Sequence, residues 1–62
     1  MTDVRALVHD LRTPLTVVEG FADLLARRGD ELSPEERAAH ARRIADAAGE
    51  MRALLDAAGS DR

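Results

Sequence analysis

Sixty-two residues with no cysteine make one small domain that has neither disulfides nor a thiolate metal site to help hold it, so self-association is expected to complete its core. The net charge of −3 comes from 12 acids interleaved with nine arginines, and with Phe21 the lone aromatic side chain this excludes a nucleic-acid surface; two histidines with no further ligand at a recognisable spacing likewise exclude a structural zinc. No apolar run approaches the roughly 20 residues that span a bilayer and no charged start with an apolar segment marks a signal peptide, so the chain reads as soluble and cytoplasmic.

Twelve alanines, abundant Leu, Arg and Glu, and few β-branched residues favour helix throughout. The single break is Gly29-Asp30-Glu31-Leu32-Ser33-Pro34. The first helix is predicted from about Asp3 to Arg28, with Thr2 as N-cap. Val4, Val8, Leu11, Leu15, Val18, Ala22 and Leu25 recur at alternating steps of four and three, which is a heptad seam. Leu7, Pro14 and Phe21 flank it, and Val17 and Leu24 widen the stripe further. Such width suits a helix with neighbours on more than one side. Arg27 and Arg28 complement the negative end of the helix dipole, and Gly29 is the expected C′ residue.

A second helix, from about Pro34 to Ala58 after a turn over 29–33, opens on a capping box: Ser33 at the N-cap, Pro34 at N1 and Glu36 at N3, with Leu32 at N′. Its seam is read as Ala41, Ile44, Ala48, Met51, Leu55 and Ala58, with Arg42, Arg43, Asp46 and Glu50 on a solvated face. Gly20 and Gly49 each cost about 1 kcal/mol against alanine in mid-helix, and they are read as allowing close helix contact. The predicted fold is all-α, an antiparallel two-helix hairpin over residues 1–62 that pairs with a second copy as a homodimeric four-helix bundle.

The chemistry is concentrated in Val8-His9-Asp10-Leu11-Arg12-Thr13-Pro14-Leu15. With Val8 and Leu11 on the seam, His9 falls on the outer side and is displayed, whereas His40 has no comparable context and reads as an ordinary surface residue. Pro14 leaves the Asp10 carbonyl without its helical donor and crowds it, so a bend is expected there, at roughly 3 kcal/mol if uncompensated. A sequence tuned for helix thus breaks its own rule beside its displayed imidazole, a common mark of a functional site.

The run from His9 to Leu15 closely resembles the H-box of bacterial sensor histidine kinases, within their dimerisation and phosphotransfer domain. The likeness extends to Val18, Gly20, Phe21, Leu24 and Leu25, and to Leu32-Ser33-Pro34-Glu35 at the second helix. The resemblance implies that His9 is the phosphoacceptor, attacking the γ-phosphorus of ATP as a neutral imidazole, and that Asp10 acts as general base and fixes the ring tautomer. It implies that Thr13 can orient water for dephosphorylating a receiver; Arg12 is read as a helper without an assigned role, and Pro14 as structural through the bend it imposes. Phosphate on His9 is then expected to pass to an aspartate of a response-regulator receiver domain. Kinases of this type also carry an ATP-binding domain with an Asn-containing box and a glycine-rich lid, and the isolated Gly20, Gly29, Gly49 and Gly59 offer no such motif. No cofactor is therefore expected on this chain; ATP and Mg²⁺ are implied on a partner catalytic domain. The chain is read as a fragment, a split kinase half or a stand-alone relay element, or as the cytoplasmic part of a membrane-bound sensor. The alternative is a non-catalytic hairpin that pairs with histidine kinases or inhibits them.

Overall fold

The structure is a computed structural model that describes residues 3–59. Helix α1 spans Val4–Arg28, a single 3-10 turn covers Gly29–Glu31, and helix α2 spans Pro34–Gly59. The two helices pack side by side as an antiparallel hairpin, with no strand among the described residues. The all-α expectation holds.

Helix α1 is capped by Asp3, one residue after the predicted cap. Asp3 is extended, and its carboxylate accepts hydrogen bonds from the backbone amides of Arg5 at 2.9 Å and Ala6 at 3.4 Å. That satisfies two of the donors a helix start leaves open. Thr2, the expected cap, lies outside the described residues. The helix continues without interruption through Pro14, which is buried.

At the other end Gly29 does not use its conformational freedom: it is right-handed, at φ −54° and ψ −40°. The expected left-handed terminus is replaced by the 3-10 turn, in which the Leu32 amide donates to the Gly29 carbonyl at 3.3 Å. The Arg37 guanidinium then supplies the missing donors, reaching the Gly29 carbonyl at 3.0 Å and the Leu32 carbonyl at 3.1 Å. The capping box forms as the sequence predicts. The Glu36 amide donates to Ser33 Oγ at 3.1 Å, and the Ser33 amide donates to Glu36 Oε1 at 2.8 Å.

The two helices meet along rows offset from the predicted seams. On α1 the inward row is Leu7, Leu11, Pro14, Val18, Phe21 and Leu25; on α2 it is His40, Ile44, Ala47, Met51, Leu54 and Ala58, all buried or half-buried. Both rows alternate steps of four and three, so both are heptads. The expected seams share every second member with them, namely Leu11, Val18 and Leu25 on α1 and Ile44, Met51 and Ala58 on α2. Their other members point outward: Val4, Val8, Leu15 and Ala22 on α1, and Ala41, Ala48 and Leu55 on α2. Leu55, read as core, is 48% exposed, and Val4, Val8 and Leu15 are 68%, 44% and 41% exposed. A stripe broad enough for two neighbours is used by one, and its other flank is left open.

Two further expectations are corrected by the packing. Gly20 and Gly49 do not permit close contact, because a Cβ at either would meet nothing within 4 Å. Both face away from the partner helix. His40 is not a plain surface residue either. Its ring lies 5.1 Å from that of Phe21 at an interplanar angle of 55°, and the Arg43 guanidinium sits 5.4 Å from the Phe21 centroid.

Candidate functional site

His9 stands in the second turn of α1, on the side turned away from α2, and its side chain is exposed. The predicted outward display of this imidazole therefore holds. The reason is periodicity: Leu7, Leu11 and Pro14 fix the inward direction, and a residue two positions from either leucine falls about 160° away from it around the helix. His9 lines a shallow groove of about 310 Å³ together with Val4, Arg5, Val8 and Arg12. Val4 and Val8 also belong to the uncovered apolar row, so the imidazole sits at the edge of that row.

The other predicted site residues divide. Arg12 shares the groove of His9, one turn further along. Thr13, four residues after His9, is exposed on the same outer side of α1. The Arg12 backbone carbonyl also accepts a hydrogen bond from the Thr16 hydroxyl at 2.9 Å, a back-bond from the residue one turn on. Asp10 is not brought to His9. Adjacent residues on a helix diverge by about 100°, and Asp10 borders a different depression, between the start of α1 and the end of α2, with Asp3, Leu7 and Leu54. No hydrogen bond joins Asp10 to His9 among the described residues.

One residue in the groove was not singled out by the sequence reading. Arg5 lies four residues before His9, the mirror of the spacing to Thr13, and it precedes the run that carries the resemblance. The available signal was that spacing. Neither the Arg5 nor the Arg12 guanidinium takes part in a hydrogen bond or an ion pair among the described residues, whereas Arg27 is bound to Asp23 at 3.0 Å and Arg37 caps two carbonyls. The groove contains no acid.

Among the described residues no cluster of His, Cys, Asp or Glu is able to hold a metal ion, and no helix is long and apolar enough to cross a membrane. The one resolved electrostatic perturbation is remote from His9. Glu36 is held below the ordinary carboxylate range, chiefly by the hydrogen bond from the Ser33 amide, then by the Ser33 side chain, and least by the nearby charge of His40.

The family model of the His Kinase A (phospho-acceptor) domain matches residues 4–58. No curated protein and no solved structure matches the chain.

Proposed function

The chain belongs to the family of His Kinase A (phospho-acceptor) domains, which supply the phosphoacceptor and dimerisation functions of histidine kinases in two-component signalling, and on that premise we propose that it accepts a phosphoryl group on His9 and passes it to an aspartate of a response-regulator receiver domain. The observation that carries this reading is the exposure of His9 on the face of α1 opposite α2, where a docking enzyme reaches the ring without opening the hairpin.

In the forward step a lone pair on an imidazole nitrogen forms a bond to the γ-phosphorus of ATP, and the bond to the β–γ bridging oxygen breaks with ADP as leaving group. The ring reacts as the neutral imidazole, the form that has a free lone pair on one nitrogen. It becomes cationic as the N–P bond forms, and the proton on its other nitrogen is lost. Asp10 takes that proton once the two side chains turn toward each other. In the second step a receiver carboxylate oxygen attacks phosphorus, the N–P bond breaks and the imidazole regains a proton. ATP and Mg²⁺ are held by a separate catalytic domain. Thr13, on the outer face with His9, aligns a water molecule for the reverse, dephosphorylating reaction on the receiver, Arg12 assists electrostatically, and Pro14 shapes the helix after His9.

The working state is a homodimer, with two hairpins closing a four-helix bundle over the uncovered rows. Only Pro14 and Ala47 are buried among the described residues, which is too little for an isolated domain. The single chain has 4904 Å² of accessible surface at 6.7 kDa. A compact monomer of that mass has about 3,900 Å². The excess, about 1,000 Å², is larger than the roughly 800 Å² each partner gives up in a standard interface.

The test is to incubate the protein with a cognate ATP-binding domain and radiolabelled ATP, or with a phosphorylated receiver. An acid-labile, alkali-stable phosphate on His9, absent from His9→Ala, is the expected result. Labelling that persists in His9→Ala overturns the assignment, and heterodimers with a full kinase that never carry phosphate on His9 favour the non-catalytic hairpin.

A further inference from the structure

We propose that Arg5 and Arg12 form a cationic cradle that binds the phosphoryl group while it resides on His9. This inference rests on His9 being the phosphoacceptor and adds a residue, Arg5, that lies outside the H-box run. Arg5 stands one turn before His9 and Arg12 one turn after it, and the three side chains line one groove. Side chains three and four apart on a helix are neighbours. Side chains on a helix lean toward its N-terminus, a direction that brings His9 toward the turn of Arg5 and Arg12 toward the turn of His9.

The charge balance of the groove is what carries the inference. Two guanidiniums flank the imidazole, no acid lines the groove, and neither guanidinium has a partner among the described residues. Neither of the nearest acids lines the groove. Asp3 accepts the amides of Arg5 and Ala6 as the helix cap, and Asp10 faces the depression between the helices. A phosphoryl group on His9 adds close to two negative charges and three acceptor oxygens. Guanidinium groups present forked donors suited to such oxygens. The groove therefore holds an uncompensated positive field where the new negative charge appears. It lowers the cost of forming the dianion and keeps the phosphoryl group in one orientation for transfer.

The cradle is testable without any kinase. Phosphoramidate phosphorylates histidine directly: a ring nitrogen bonds to phosphorus, the P–N bond of the reagent breaks, ammonia leaves and the displaced ring proton passes to solvent. The full chain is treated in this way, the ³¹P signal of phospho-His9 is assigned by its absence from His9→Ala, and its chemical shift is followed against pH. A phosphoryl group titrates near neutrality, at about 6 in phosphoserine. Nearby cations favour its dianion, so Arg5→Gln is expected to raise the midpoint by roughly 0.5, the size expected of an exposed pair. Arg12→Gln raises it similarly, Arg5→Lys restores most of the effect, and 1 M salt erases the difference. Arg28→Gln, about 28 Å along the helix and beyond the Debye length, leaves the midpoint unchanged. Glutamine favours helix, so Arg5→Gln keeps the fold, and circular dichroism verifies it. Identical midpoints in the parent and Arg5→Gln, or equal shifts in Arg5→Gln and Arg28→Gln, overturn the cradle while leaving the phosphoacceptor reading intact. Failure of enzymatic labelling of His9 removes that reading instead, with the titration still measurable.

Discussion

The two ends of the hairpin are built on opposite principles. Around the turn, polar groups find partners within the chain: Ser33 and Glu36 cap each other, Arg37 closes the last carbonyls before α2, and the His40 ring packs at a tilt against Phe21, with Arg43 over the Phe21 face. At the His9 end the imidazole and both flanking guanidiniums point outward, and the apolar side chains of Val4, Val8 and Leu15 are open. Where the chain reverses direction its backbone groups lose their helical partners, and here side chains of the same chain replace them. Groups left unsatisfied on a regular helix cost little in water, and they stay available to a second molecule. The closed end makes the hairpin; the open end is the one on which the proposed partners act.

The sharpest way to break this contrast is to place a charge on the open row. Leu15→Glu leaves the contacts within one hairpin largely untouched but buries a carboxylate in the proposed two-fold interface, a change in the class that costs several kcal/mol. Dissociation of the dimer is expected to strengthen by at least 100-fold, read by sedimentation equilibrium. The thermal midpoint of the parent should rise with protein concentration, as it does when folding and association are coupled, and that dependence should weaken in the variant. An unchanged dimer in Leu15→Glu would mean that the exposed row is not what the second copy covers.

A smaller effect is expected at the closed end. Ser33→Ala removes the N-cap of α2 and costs about 1 kcal/mol. The midpoint should fall by roughly 4–8 °C, as for other domains of this size. Dimerisation per folded chain and the reactivity of His9 should be unaltered. The same cap makes a pH prediction. The Glu36 carboxyl is held below its ordinary value of 4.5 by the Ser33 amide and hydroxyl, so ionised Glu36 favours the folded state. For a depressed carboxylate the stabilisation is present above the unfolded value and is lost as pH falls through the folded one. The difference in midpoint between the parent and Glu36→Gln should therefore be constant above about pH 5 and shrink progressively below 4.5.

The sequence announced some of this plainly. Ser33-Pro34-Glu35-Glu36 encodes its cap in four consecutive residues, and the structure forms both reciprocal bonds. Helical composition and a single break were enough for the hairpin. The outward display of His9 was expected with Val8 and Leu11 on the seam; the display holds, but Leu7 rather than Val8 joins Leu11 in fixing the inward side. The inward rows were harder to read, because two overlapping heptads share Leu11, Val18 and Leu25, and periodicity has no preference between them. On α2, alanines occupy positions on both sides of the true row, so hydrophobicity does not separate Ala47 from Ala48. His40 was missed for a related reason: its place in the row depends on Phe21 lying across from it, and that pairing exists only once the turn has set the register. Arg5 is legible only after His9 is known to matter.

The smallest expected effect concerns the one ion pair among the described residues. Arg27 Nε and Asp23 Oδ1 are 3.0 Å apart at i and i+4, with the side chains 77% and 59% exposed. The acid precedes the base, the better orientation on a helix. Asp23→Asn is nevertheless expected to cost no more than about 0.5 kcal/mol, since water and salt screen the pair and both side chains lose freedom to form it. Arg27 also lies in the last turn of α1, where it interacts favourably with the terminal carbonyls whether or not Asp23 is present. The midpoint should move by only a few degrees, with the difference vanishing at high salt. If Asp23→Asn instead matched Ser33→Ala, charge pairing would rival capping in holding the turn, and the closed end would be an electrostatic construction. A near-silent Asp23→Asn beside a damaging Ser33→Ala would assign the stability of the turn to satisfied backbone groups.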